Sequence, residues 1–127
     1  MIDHVGFPVS DYARSKAFYR ETLATLGYTL IKEVTETESG SPAADPEIGF
    51  ALSSETGGEG GLKGTLHIAI AADDRRTVDA FYRAALAAGG RDNGPPGLRP
   101  QYHPNYYGAF VLDPDGHNVE AVCHAPA

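Results

Sequence analysis

The spacing of apolar positions along the chain changes period several times. Ile2 to Val9 and Leu66 to Ala71 are short and rich in apolar residues, and both read as strands. Side chains alternate along a strand, so Val5, Phe7 and Val9, and likewise Ile68 and Ile70, share a face suited to packing under helices. The other face carries His4, Gly6 and Pro8, and His67, Ala69 and Ala71. After each strand the period lengthens. Beyond Asp11, the apolar residues Ala17, Phe18, Leu23 and Leu26 paint one helical face; beyond Asp74, Val78, Phe81, Tyr82, Ala85 and Leu86 do the same. Asp11 and Asp74 stand where an N-cap carboxylate accepts from the first free helix N–H groups, and Gly27 and Gly89-Gly90 end the helices.

Further strands are expected at Tyr28–Val34, Ile48–Leu52, Tyr107–Leu112 and Asn118–Cys123, the last two joined by a turn at Asp113-Pro114-Asp115-Gly116. Three stretches read as connections: the polar Thr35–Glu47, the glycine-rich Glu55–Gly64, and Asn93–Pro104, which holds four of the nine prolines. Lys63 in the glycine-rich stretch is not followed by Ser or Thr, which argues against a phosphate-binding loop.

The pattern is made twice. Residues 4–27 align with residues 67–90 without a gap, at an offset of 63, and nine of 24 columns are identical, His4/His67 and the Phe-Tyr-Arg triplets among them. Each copy is a strand–helix–strands unit that buries its helix on one sheet face. Two such sheets side by side make an open, curved trough with helices on the outer face, an α+β architecture with the halves related by a pseudo-twofold. The 127 residues are expected to form one domain: module one at about 1–56, a glycine-rich linker at about 57–64 and module two at about 65–127.

Composition narrows the function classes. Ten Lys and Arg against 17 Asp and Glu give a formal net charge of -7, which argues against a nucleic-acid or anionic-membrane surface. No apolar run approaches the roughly 20 residues that span a bilayer, and the first residues do not read as a signal peptide. A cytoplasmic protein is expected. The one cysteine, Cys123, excludes an internal disulfide and reads as an inert buried thiol.

Candidate chemistry lies on the trough face. His4 alone reads as an ordinary strand-end residue; its repeat partner His67 turns both toward ligation, because a pseudo-twofold points them at each other. Small neighbours leave room there for a ligand. Glu120 stands mid-strand in the apolar run Val119 to Val122, where burying a carboxylate is costly unless a cation offsets it. Two imidazoles and one carboxylate hold a divalent ion while leaving adjacent positions open to two neighbouring substrate oxygens. The donor set suits Fe, Mn, Co, Ni or Zn.

The paired repeats, His4, His67 and the terminal DPDGHNVEAV resemble the vicinal oxygen chelate superfamily of glyoxalase I, extradiol dioxygenases and bleomycin resistance proteins. The resemblance covers essentially the whole chain. It implies paired βαβββ modules, a homodimer, and metal-ligand positions at His4, His67 and Glu120. Glyoxalase-type members carry a further carboxylate on the closing strand of the first module. Laying Ile48–Leu52 on Asn118–Val122 puts Phe50 at that place, which argues against lactoylglutathione lyase chemistry. Extradiol members carry a hydrophobic–Tyr pair where this chain has Ala109-Phe110.

The main expectation is therefore a glyoxalase-like metalloenzyme running a lyase or isomerase step on a small substrate with vicinal oxygens. In it His103 serves proton transfer, Arg99 binds an anionic group, and Tyr102, Tyr106 and His124 line the substrate site. His117 is assigned to the turn as an exposed residue. The alternatives are an extradiol-type dioxygenase, a non-catalytic drug-binding resistance protein of the same fold, and an accessory subunit with a vestigial trough.

Overall fold

The computed structural model describes residues 4–28, 49–53 and 64–127, with the side chains of His4 and of 49–53 outside the described residues. The expected strand past Tyr28, the Thr35–Glu47 loop and most of the glycine-rich linker also lie outside them. The elements run β1 (His4–Pro8), α1 (Tyr12–Ala24), β2 (Gly49–Ser53), β3 (His67–Ala71), α2 (Arg75–Ala87), β4 (Arg91–Leu98), β5 (Tyr107–Leu112) and β6 (Asn118–Cys123). The fold is α+β.

Both helices start as their sequences dictate. Asp11 accepts from the Arg14 N–H at 3.1 Å and Asp74 from the Thr77 N–H at 2.7 Å, each from an extended N-cap backbone. Their ends differ by one residue. Gly27 takes φ 89° after α1, whereas after α2 the left-handed residue is Gly89, at φ 102°. Gly90 is needed for another reason: a Cβ there would meet Val111 at 2.6 Å and Phe18 at 2.7 Å.

The buried positions of the helices fall at matching places in the repeat. Phe18 and Phe81 are both fully buried, flanked by Ser15 and Thr22 in α1 and by Val78 and Ala85 in α2. Polar residues therefore occupy a core face of α1, where apolar periodicity alone does not find them. Ser15 Oγ donates to Asp115 Oδ2 at 3.4 Å, which admits that hydroxyl to the interior.

β1 and β2 pair in parallel; β3, β6, β5 and β4 form a second sheet in that order, with β3 and β6 parallel and the rest antiparallel. The two parallel pairs share a register, His4 opposite Gly49 and His67 opposite Asn118. That register corrects the position assigned to Phe50. Glu120 stands opposite Ala69, and the repeat equivalent of Ala69 is Gly6, which stands opposite Ala51. The counterpart of Glu120 is thus Ala51, which also carries no carboxylate.

Asn93–Pro104 is not one long connection. Its first part belongs to β4, on the edge of the sheet, with register shifts between Asp92 and Gly94 and between Gly94 and Gly97. Pro95 and Pro96 sit in that irregular edge strand, where a missing N–H donor costs no ladder bond. The remaining loop is closed by the Arg99 N–H donating to the Tyr106 carbonyl at 2.7 Å.

The core lies between the helices and one face of the strands. Val78, Phe81 and Ala85 of α2 cluster with Ala109 and Val111 of β5, and with Val119, Ala121 and Cys123 of β6. Cys123 is buried as expected. The opposite face carries Gly108, Phe110 and Glu120, while His67, Ala69 and Ala71 of β3 are exposed.

Candidate functional site

Glu120 sits mid-β6 with Ala69 of β3 on one side and Phe110 of β5 on the other. Its carboxylate is 1% exposed. Among the described residues, two side chains reach it. His67 Nε2 lies 2.9 Å from Oε2, and the Tyr106 hydroxyl donates to Oε1. The His67 side chain is 54% exposed, so this end of the pair opens to solvent. Burial and the adjacent carboxylate push the Tyr106 hydroxyl well above the ordinary phenol range, so it remains a donor throughout the neutral pH range.

The backbone explains how Tyr106 gets there. Gly108, two residues on, pairs opposite Val122, and a Cβ at Gly108 would meet Tyr106 Cε1 at 3.1 Å and Glu120 Oε1 at 3.3 Å. Only glycine lets ring and carboxylate close over the strand without displacement. The Tyr106 ring also packs edge-on to Tyr102 at 5.1 Å and to His124 at 5.2 Å between centroids.

The other predicted residues divide into two groups. Arg99 has its guanidinium 5.4 Å over the Phe110 ring and donates from Nη2 to the Pro95 carbonyl at 2.7 Å. The same ring lies 6.2 Å from His67, so Phe110 links the cation to the His67–Glu120 pair. His103 belongs to the loop. Its Nδ1 accepts from the Asn105 N–H at 3.0 Å, leaving the proton of the neutral ring on Nε2, and its ring stacks edge-on to His124 at 5.7 Å. Tyr102 is exposed. Tyr106, expected at the substrate site, has its hydroxyl on Glu120.

His117 is not exposed. It is 5% exposed, accepts at Nδ1 from the Leu66 N–H at 3.0 Å, and packs edge-on against Phe7 at 5.7 Å. Asp113 of the same turn is buried too, accepting from Tyr19 Oη at 2.5 Å, the Asp115 N–H at 2.9 Å and the His117 N–H at 2.8 Å. Asp115 accepts from the Ser10 N–H at 3.3 Å. The Asp-Pro-Asp-Gly turn thus ties the β5–β6 hairpin to β1 and α1.

A family model for the Glyoxalase/Bleomycin resistance protein/Dioxygenase superfamily matches residues 1–121. The chain belongs to that superfamily. A glyoxalase/bleomycin resistance protein from Albidiferax ferrireducens T118 is 33% identical, with TM-score 0.74 over 97% of this chain and 98% of that one. A glyoxalase/bleomycin resistance protein/dioxygenase family enzyme from Burkholderia phytofirmans PsJN shares the fold at 21% identity, with TM-score 0.67 over 97% and 98% of the two chains. A glyoxalase-related enzyme from Fulvimarina pelagi shares it at 21% identity, with TM-score 0.65 over 97% and 87%. No curated protein matches the chain.

The superfamily commonly binds a divalent metal, and the donors brought together here suit one. An imidazole nitrogen and a buried carboxylate oxygen 2.9 Å apart are two of the ligands such an ion takes. The third expected ligand, His4, has its backbone in β1 at the register position of His67, and its side chain lies outside the described residues. Among the described residues no group of three His, Cys, Asp or Glu side chains converges. No described helix is long and apolar enough to cross a membrane.

Proposed function

We propose that this chain is a metal-dependent enzyme acting on a small substrate with two neighbouring oxygens, by proton transfer of the lyase or isomerase type. His4, His67 and Glu120 hold one divalent ion: Fe, Mn, Co, Ni or Zn. The observation that carries this reading is the meeting of His67 Nε2 with a carboxylate that is buried yet accessible from its imidazole side. Burying a carboxylate is costly when its partners, among the described residues, are one hydroxyl and one half-exposed imidazole, and a bound cation offsets that cost. Such an ion supplies Lewis-acid polarisation of the substrate oxygens.

The chain's own residues do the rest. Arg99, held by the Pro95 carbonyl and the Phe110 face, fixes an anionic group of the substrate beside the site. His103, with Nδ1 engaged by the backbone, presents Nε2–H as a donor toward developing negative charge. Tyr102, Tyr106 and His124 give the loop side an aromatic wall. Phe110 offers no hydroxyl at the position where extradiol enzymes carry tyrosine, which favours proton transfer over ring cleavage with oxygen.

The architecture proposed with this reading is one domain of two modules, 1–56 and 65–127, related by a pseudo-twofold and working in the cytoplasm as a homodimer. The common register of the two parallel strand pairs supports the pseudo-twofold. The test is exchange of carbon-bound hydrogen for deuterium in small 2-oxo and 2-hydroxy acids, followed by NMR with metal-loaded protein. Exchange that disappears in Arg99→Ala and with chelator supports the proposal. Tight retention of an aromatic ligand with no exchange of any substrate would favour the second reading, a binding protein that uses the aromatic wall without chemistry.

A further inference from the structure

We propose that Tyr106 is the positioning residue of the metal site: by donating its hydroxyl to Oε1 of Glu120, it leaves Oε2 turned to His67 for the ion. This rests on the metal reading above and adds to the ring of Tyr106, part of the aromatic wall, a separate role for its hydroxyl that needs no contact with the ion.

A carboxylate in open solution rotates freely and offers either oxygen. Glu120 is buried, and among the described residues each of its oxygens faces one group: Oε1 the Tyr106 hydroxyl, Oε2 the His67 ring. The hydroxyl cannot be drawn away to a neighbouring acceptor cheaply, because the Tyr106 ring is wedged between Tyr102, His124 and the Cβ-free backbone of Gly108. Outer partners that fix the orientation of a ligating carboxylate typically contribute roughly 10- to 100-fold to metal affinity. The position is also unusual in sequence. The tyrosine stands on the loop before β5, outside the strand position that Phe110 occupies, and reaches Glu120 over Gly108.

The experiment is titration of Mn(II) into the full chain by calorimetry, comparing wild type with Tyr106→Phe, which removes one oxygen and keeps the ring. Mn(II) affinity should fall roughly 10- to 100-fold, while the metal-free chain still unfolds in one transition, at a lower midpoint because Glu120 Oε1 has lost its hydroxyl donor. Gly108→Ala gives an independent reading, since it keeps both side chains and forces them apart; it should weaken Mn(II) binding in the same direction. It also decides the matter if Tyr106→Phe folds poorly. Unchanged or tighter Mn(II) binding in both variants overturns the assignment of Tyr106 and leaves the metal site standing. Absence of Mn(II), Co(II), Ni(II) and Zn(II) binding in wild type overturns the metal reading, and the role of Tyr106 with it.

Discussion

Asp113 and Glu120 lie on the same β-hairpin, and each is 1% exposed, yet their surroundings differ in kind. Asp113 accepts from a hydroxyl and two backbone N–H groups, all within 2.9 Å and all belonging to the buried turn or to α1. Among the described residues, Glu120 accepts from one hydroxyl and meets one imidazole, and that imidazole is half in solvent. Both carboxylates are shielded from water to the same degree. Three donors offset the cost of burial at Asp113, and fewer do so among the described partners of Glu120. A closed donor set marks a structural carboxylate, and an open one marks a carboxylate kept for something that arrives later.

That contrast predicts opposite responses to substitution. Asp113→Ala should lose about 3 kcal/mol or more in urea unfolding, because it strands the Tyr19 hydroxyl and two N–H groups in the interior. The Tyr19 hydroxyl is itself held far above the ordinary phenol range by burial and Asp113, so it needs that acceptor at every working pH. A loss near zero would break the comparison. Next in size is Gly90→Ala, expected to cost about 2 kcal/mol, since the new Cβ meets Val111, Phe18 and the Ala85 carbonyl within 2.8 Å. Gly108→Ala, on the open side, should cost less stability than Gly90→Ala, because its nearest contact is the edge of a tyrosine ring at 3.1 Å.

His117→Ala should fall lower still, at about 1–2 kcal/mol, by leaving the Leu66 N–H without its acceptor. The smallest change in stability belongs to Glu120→Gln. Replacing a buried charge by a neutral isostere should move the unfolding midpoint by less than about 1 kcal/mol in either direction while metal affinity collapses. A large stability loss there would make Glu120 a second Asp113.

Much of this was legible in the sequence, and the exceptions have physical causes. The bounds of β5 and β6, both helix N-caps and the turn between the last strands follow from local chemistry that the fold does not override. The exposed histidine face of β3 follows from strand alternation. Long-range effects were hidden. His117 reads as a solvated turn residue because the N–H it accepts from, on Leu66, is 51 positions away. β4 reads as a loop because its prolines are tolerated only by an irregular edge strand, and edge position belongs to topology. The overlay of Ile48–Leu52 on Asn118–Val122 is off by one because it takes Ile48 as the first strand position, whereas the strand begins at Gly49 and the alternation of Phe50 and Leu52 with Gly49, Ala51 and Ser53 sets the register. Tyr106 and Glu120 each read as site candidates in the sequence; their contact depends on Gly108, whose role is a missing Cβ.

The central claim is that the open carboxylate and its imidazole hold an ion. The direct measurement is metal content by mass spectrometry of the untagged, chelator-free chain, in parallel with His67→Ala and Glu120→Gln, after reconstitution with each candidate divalent ion. Close to one ion per chain is expected in the wild type, with loss of it in both variants. An ion retained equally in all three, or none taken up by the wild type, would contradict it.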